Sequence, residues 1–263
     1  PPKPLWHCFL DAITEFGMIK EGDRVLVGVS GGKDSLTLLH LLKAYQHISL
    51  HQPQPVHWEF GAATIDPQDP SFDPHPLISY MKDLEVPYFF DSEPVISKAK
   101  EIQPISLCSF CSRIKRGTLY SVARQHGYNV LALGQHLDDA AESFLMSAFQ
   151  NGRLRTMKAH YVIKKEDIRV IRPLILTRER EMAAFAKSAM LPVITENCPA
   201  CFSAPTERHR IKQLLAYQES LFPDIFTSKW FPFSLLFLLL FLLIHFALKN
   251  NKQSQSLEMQ SDH

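Results

Sequence analysis

Two glycine-bearing segments and two cysteine pairs hold the residue types from which chemistry could be built. The first segment, Ser30-Gly31-Gly32-Lys33-Asp34-Ser35, combines two glycines, two hydroxyls and a lysine. Glycine lets the backbone turn tightly and bring its N–H groups against an anion. Lys33 adds a full positive charge, and Ser30 and Ser35 can donate to phosphate oxygens. A Walker A loop would need G-x-x-x-x-G-K-[ST]. Here Asp34 follows Lys33 and Val27 stands five places before Gly32, so the ordinary γ-phosphate-cleaving loop is excluded. The second segment runs from Leu133 through Gly134-Gln135-His136-Leu137 to Asp138-Asp139. Two adjacent carboxylates suit a hard cation such as Mg2+ bridging phosphates, or the orientation of an attacking group. An Asp at such a place can equally be a helix N-cap. The cysteine pairs are Cys108-Ser109-Phe110-Cys111 and Cys198-Pro199-Ala200-Cys201, with Cys8 standing apart. Two such pairs can close a four-thiolate zinc site or supply thiolates to an iron–sulfur cluster. No secretory signal opens the chain, which makes metal or redox chemistry the expectation rather than a disulfide framework.

The surrounding pattern predicts the elements that hold these residues. Arg24 to Ser30 reads as a buried strand running into the first segment, and a helix is predicted from Ser35 to about Gln46. Further strands are predicted at Val56 to Asp66, Tyr88 to Phe90, Asn129 to Leu133 and Val170-Ile171. Helices are predicted at Leu5 to Phe16, Leu77 to Leu84, Ser112 to His126, Asp139 to Phe149, Arg178 to Ala189 and Thr206 to Tyr217. Gly152 to His160 reads as a polar, basic loop. Strands separated by helices of this length predict an α/β fold, a doubly wound parallel sheet built from βαβ units, with a helical C-terminal extension. Both glycine segments would then lie at strand carboxyl ends, where ligands of parallel sheets gather.

The segment SGGKDS resembles the pyrophosphate loop of the PP-loop, or N-type, ATP pyrophosphatases. That resemblance implies a loop gripping the β- and γ-phosphates of ATP while the substrate attacks the α-phosphate. SGGKDS, CSFCSRIKRGTLY, LGQHLDD, VIRPL and CPACFSAPTERHRIKQLL also occur in the order found in the tRNA 2-thiocytidine synthetases. The resemblance covers about residues 5–228. It departs at Gln135, where the G-H-x-x-D-D motif of the family usually has its first His. It implies ATP-dependent thiolation of a tRNA cytidine, at position 32 of the anticodon loop, with Mg2+ and a [4Fe–4S] cluster held by three cysteines. Carried onto this chain, ATP falls to Ser30, Gly31, Gly32, Lys33, Asp34, Ser35 and Gly134. Catalysis falls to Lys33, Asp138 and Asp139, and the cluster to Cys108, Cys111 and Cys201, the last preferred to Cys198, which spacing does not separate from it. The implied partners are tRNA, a sulfur donor (a cysteine desulfurase or its product) and a second copy of the chain. Uridine thiolases share the loop and cluster but usually bring flanking zinc-finger cysteines, which this chain lacks. Lysidine synthetases share the loop but lack the paired cysteines. The alternatives are a tRNA-uridine thiolase, or a zinc-stapled nucleotide-binding module without catalysis.

The net charge of +1 hides an uneven distribution. Residues 1–112 hold 8 Lys/Arg against 14 Asp/Glu, a balance of −6, whereas residues 113–212 hold 17 against 9, a balance of +8. Such polarity can offer a basic face to a polyanion, or reflect charge clustering on solvated helices. Arg113, Lys115, Arg116, Arg153, Arg155, Lys158, Arg208 and Arg210 are the candidates for phosphate-backbone contacts. Residues 1–228 are read as one thiolation domain, 229–248 as a hydrophobic segment and 249–263 as a polar tail. The apolar run 230–248 is long enough to span a bilayer of ~30 Å, though Pro232 and His245 interrupt it. A membrane anchor, a docking helix and an artefactual tail are the three readings. The expected location is the cytoplasm, tethered to a membrane if the run is an anchor.

Overall fold

The computed structural model describes residues 1–51, 53–69, 72–102, 107–165, 167–194 and 206–226. The chain divides into two compact units, Pro1–Thr206 and Glu207–His263. The first holds a six-stranded sheet made of β1 (Arg24–Gly28), β2 (Glu59–Asp66), β3 (Tyr88–Ser92), β4 (Val130–Ala132), β5 (His160–Val162) and β6 (Arg169–Ile171), in the order β3-β2-β1-β4-β6-β5. All neighbours are parallel except β5, which runs antiparallel to β6 at one edge. The helices of this unit are α1 (Lys3–Glu15), α2 (Lys33–Ser49), α3 (His75–Asp83), α4 (Val95–Ile102), α5 (Leu107–Gln125), α6 (Leu137–Asn151) and α7 (Glu179–Ser188). In the second unit, helix α8 (Glu207–Leu221) is described. The run 230–248 and the polar tail lie outside the described residues. Among the described residues, no helix is long and apolar enough to cross a membrane.

Strand alternation divides the core into two layers. Val25, Val27, Val130, Ala132 and Ile171 face one layer with α1, α2 and α7, while Leu26, Leu131 and Val170 face the other with α5. This is the period-two pattern of a sheet covered on both faces, which is why its strands read as near-continuous apolar runs. Helix α2 packs on α7, and Leu36, Leu38, Leu39, Leu41 and Leu42 are fully buried. Each contributes about 1.5–3 kcal/mol of apolar burial, so α2 is pinned along its length. At the amino end of the sheet, buried Asp23 accepts from Lys20 N at 2.7 Å and Asn129 Nδ2 at 3.2 Å and pairs with Arg169. That network ties the starts of β1, β4 and β6 together at the end opposite the glycine segments.

Several elements differ from the sequence expectation, among them α8, which runs four residues past Tyr217 to Leu221. Strand β5 and helix α4 were not expected, and the basic loop ends at Ala159 because His160 enters β5. Helix α5 begins at Leu107, not Ser112, so positions 108 and 111 fall in its first turns rather than ahead of it. Strand β2 begins at Glu59 rather than Val56.

Candidate active site

The two glycine segments leave adjacent strands at the point where the chain order reverses. From β1 the chain winds outward through β2 and β3, then returns to β4 on the other side of β1. Parallel sheets open a crevice at such a switch point. Thr64 Oγ1 donates to Val29 O at 2.8 Å and Val29 N donates to Ala63 O at 2.8 Å, fixing the chain as it enters the loop. Gly31 has φ +87° and sits under Ile194, whose N–H donates to Gly31 O at 3.0 Å. A side chain at Gly31 would meet both the strained φ and Ile194 Cδ1 at 3.0 Å. Ser35 Oγ donates to Gly32 O at 2.9 Å and accepts from Ser30 N at 3.2 Å, and Gly32 N donates to Ser30 Oγ at 3.3 Å. Gly134 brings the second segment against the first: a Cβ there would lie 3.2 Å from Asp34 C and Ser35 N.

Three helices start in this crevice, and two of them have a first-turn N–H taken by a side chain, although Arg178 at the α7 N-cap, like Gly32 at the α2 N-cap, makes no side-chain cap bond itself. Helix α6 carries a capping box, in which His136 Nδ1 accepts from Asp139 N at 3.3 Å and Asp139 Oδ2 accepts from His136 N at 3.1 Å. Helix α7 has its Glu179 N–H bound at 2.7 Å by Asp138 Oδ2. Helix α2, whose N-cap is Gly32, has no side-chain cap. Its first-turn donors and helix dipole are therefore the ones left for an anion.

The side chains at this end form a linked charge network. Lys33 Nζ pairs with Asp34 Oδ2 at 3.3 Å and Glu179 Oε1 at 3.0 Å. Burial alone would lower the Lys33 pKa, but Asp34 and Glu179 outweigh it and the net direction is up, so the ammonium stays charged. Burial pushes the Asp34 carboxyl up, further than Lys33 and His136 pull it down, and Asp139 adds to the rise. Asp34 Oδ1 is buried with no hydrogen-bond donor among the described residues. Asp138 accepts from Arg178 Nε at 3.1 Å and pairs with Arg178 Nη2 at 3.0 Å. Burial would raise its pKa, yet His136, Arg178 and the Glu179 N–H hold it well below the usual carboxylate range.

His136 is 4% exposed and lies 3.4 Å from Asp139, 3.6 Å from Asp138 and 3.9 Å from Asp34. Neutral, its ring caps α6 through Nδ1; protonated, it would exchange that cap for ion pairs. Burial favours the neutral form, but three carboxylates within 4 Å decide the direction, and the pKa is raised.

The residues expected to act on phosphate thus converge: Ser30 to Ser35, Gly134, Asp138 and Asp139 share one crevice. Asp138 and Asp139 are turned onto Arg178, the α7 N-terminus and His136. Among the described residues, no group of three or more His, Cys, Asp or Glu side chains is gathered as a ready metal site. Sequence reasoning missed His136, Arg172, Arg178, Glu179 and Ile194. Arg172 Nε donates to Gln135 Oε1 at 2.9 Å, so the residue that departs from the family pattern is held by the Arg of VIRPL. The Arg178-Glu179 pair at the start of a predicted helix was the available signal for two of them.

Helix α5 points the first cysteine pair toward the same end of the sheet. Leu119 packs where a Gly28 Cβ would lie 3.0 Å away, and Gly127, just past the helix, packs on Arg24 at the opposite end of β1. Cys111 is eight residues before Leu119, about 12 Å further along the axis and beyond the strand ends. It is half-buried. Nothing is described of the Cys108 side chain, and Cys198 and Cys201 lie outside the described residues. By sequence, Cys198 follows Ile194, which seats on Gly31, by four residues.

Residues 7–216 match the family model of the PP-loop domain. The chain is 40% identical over 220 residues to a tRNA-cytidine(32) 2-sulfurtransferase of Geobacter sulfurreducens, covering 81% of this chain and 82% of that protein. It is 41% identical to that of Geobacter metallireducens, over 78% of each chain. Among solved structures it resembles the U34-tRNA thiolase NcsA from Methanococcus maripaludis, with a TM-score of 0.67 at 22% identity, covering 84% of this chain and 74% of that one. That likeness establishes the shared fold, and the identities establish the closer kinship: the chain belongs to the PP-loop domain family and, within it, to the tRNA-cytidine(32) 2-sulfurtransferases.

Proposed function

We propose that this protein is an ATP-dependent tRNA sulfurtransferase that activates C2 of cytidine 32 and replaces its oxygen with sulfur. The observation that carries the reading is the contrast among the three helix starts: α6 has a capping box, the first N–H of α7 is taken by Asp138, and no described side chain takes the first-turn N–H groups of α2 beside Lys33. The relatives' printed activity and the order of the motifs supply the substrate.

ATP would lie with its β- and γ-phosphates on the backbone of Ser30 to Ser35, against the α2 dipole, with Lys33 opposing the charge of the leaving pyrophosphate. Lys33 is held by Glu179 and Asp34, so an arriving phosphate displaces a carboxylate partner rather than water alone. The buried, undonated Asp34 Oδ1 fits a cation, and Mg2+ commonly takes one or two carboxylates together with substrate phosphates. The C2 oxygen of the cytidine attacks the α-phosphate, releasing pyrophosphate and leaving adenylate as the leaving group; a sulfur nucleophile then displaces AMP at C2. Asp138 and Asp139 set the crevice wall, the first by anchoring α7 and Arg178, the second by capping α6. Thiolates of Cys108, Cys111 and Cys201 are the soft donor set that suits a [4Fe–4S] cluster, and when bound it would supply an iron position open to sulfur. A cysteine desulfurase or its product is the sulfur source in this reading, and the working form is a homodimer.

The test is the fate of ATP. Incubated with unmodified tRNA and sulfide, anaerobically purified protein should release AMP and pyrophosphate in equal amounts. Release of ADP and phosphate would sink the assignment of α2 and its loop to α-phosphate chemistry.

A further inference from the structure

Beside the nucleotide crevice lies a second cluster that the adenylation chemistry does not use. Tyr120 on α5 and Tyr161 on β5 both pack against the second core layer, near enough to influence each other electrostatically. Arg116, one helical turn from Tyr120 in the direction of the cysteine pair, lies within electrostatic reach of Tyr161 and Arg172. The guanidinium of Arg172 lies 5.4 Å from the centroid of the Tyr161 ring. It is fixed there by donating from Nε to Gln135 Oε1 at 2.9 Å and from Nη1 to Lys158 O. Gln135 stands between Gly134, which touches the backbone of the phosphate loop, and His136, which faces Asp34. The cluster is therefore one residue away from the ATP crevice.

The charges of this cluster are unbalanced. Arg116 and Arg172 are near enough to repel each other, and no carboxylate among the described residues pairs with either. Burial lowers the Arg172 pKa and Arg116 adds to the effect, with the tyrosines opposing it. Burial would raise the Tyr161 pKa, but the Tyr120 hydroxyl and the two guanidiniums bring it below its ordinary value, which strengthens it as a donor. Buried Arg172 is satisfied by neutral oxygens and half-buried Arg116 has no described carboxylate partner, and guanidinium groups without an acidic partner complement an anion. Nucleotide phosphates already have their own donors at α2 and Lys33. An anion held beyond Gln135 is thus offset from them, as a strand entering the same crevice would place its backbone.

We propose that Arg116 and Tyr161, positioned by Arg172 and Gln135, form a phosphodiester subsite that holds the RNA backbone next to the nucleotide entering the crevice. The proposal rests on the reading that RNA is the substrate. Its test uses the full chain, purified anaerobically, as R116Q, R116K and Y161F, with folding checked by thermal melting. Binding of unmodified tRNA is followed from about 0.05 to 0.3 M salt, and ATP binding is titrated in parallel. R116Q should weaken tRNA binding about five- to tenfold near 0.1 M salt and make the log–log salt slope shallower by about 1. R116K should keep the slope, and Y161F should cost about two- to fivefold without changing it. ATP affinity should hold in all three. Unchanged tRNA binding in R116Q and Y161F would overturn the subsite. Loss of ATP affinity by the same factor would overturn it too, by assigning the cluster to the nucleotide. Failure of the wild-type protein to bind tRNA would overturn the RNA reading itself, and the subsite with it.

Discussion

Gly134→Ala tests whether the two crevice segments touch backbone to backbone. The new Cβ would lie 3.2 Å from Asp34 C, 3.2 Å from Ser35 N and 3.3 Å from Asp34 O. All three atoms belong to the first turn of α2, which cannot swing aside like the end of a flexible side chain. The turn is braced by Ser35 Oγ on Gly32 O at 2.9 Å and by Leu36 N on Gly32 O at 3.2 Å. One inserted methyl group in a packed site of this kind costs about 1–3 kcal/mol. At this chain size that is a fall in Tm of about 2–4 °C per kcal/mol. A shift of a few tenths of an ångström in the phosphate-binding turn should also raise the KM for ATP by about five- to tenfold, since positioning errors are felt strongly. The control is Gly117→Ala in the interior of α5, where a Cβ meets nothing within 4 Å. There the helix propensity of Ala should stabilise by about 0.5–1 kcal/mol. Thermal melts and ATP-dependent pyrophosphate release, run side by side, decide the matter. If Gly134→Ala melts with the wild type and keeps its KM, the close approach of the segments is refuted.

Lys33→Ala removes the one cation on the phosphate loop and should lower pyrophosphate release by at least ~100-fold with the fold intact; wild-type turnover would remove SGGKDS from the chemistry. The raised pKa of His136 means that its contribution to stability is full below the ordinary histidine value of 6.5 and is lost as pH rises through the folded value. As pH rises above the ordinary histidine value, the wild-type Tm should therefore fall more steeply than that of His136→Asn, which keeps a capping side chain but cannot charge; parallel curves would show that the three carboxylates do not hold a proton on His136. For the cysteines, replacing Cys108, Cys111 or Cys201 with Ala should each remove the iron, and Cys198→Ala should keep it. A four-thiolate zinc site predicts instead that all four replacements are equally damaging and bind zinc poorly.

The parts legible in the sequence were those whose signal is local. A strand, two glycines and a helix sit within 26 residues of one another at Arg24–Ser49, and the sheet order then brings LGQHLDD beside them at the switch point. What was missed depends on packing between distant elements. Strand β5 has three residues and exists through its antiparallel pairing to β6, so no alternation announces it. Glu179 meets Lys33 because α7 packs on α2, 146 positions away in sequence, and Arg178 meets Asp138 by the same placement. Gln135 looked like a lost family histidine; its role as acceptor for Arg172 follows from where β6 ends. Asp138 and Asp139 look alike on paper, yet one is drawn to Arg178 and α7 and the other into the α6 capping box.

The most direct test of the account is nucleoside mass spectrometry of tRNA treated with the anaerobically purified protein, ATP, Mg2+ and sulfide. The account predicts 2-thiocytidine, mapped by nuclease fragments to position 32, absent without ATP and absent with Lys33→Ala. Unmodified cytidine at that position under conditions in which iron and ATP are both bound, or sulfur appearing on a uridine instead, would contradict it.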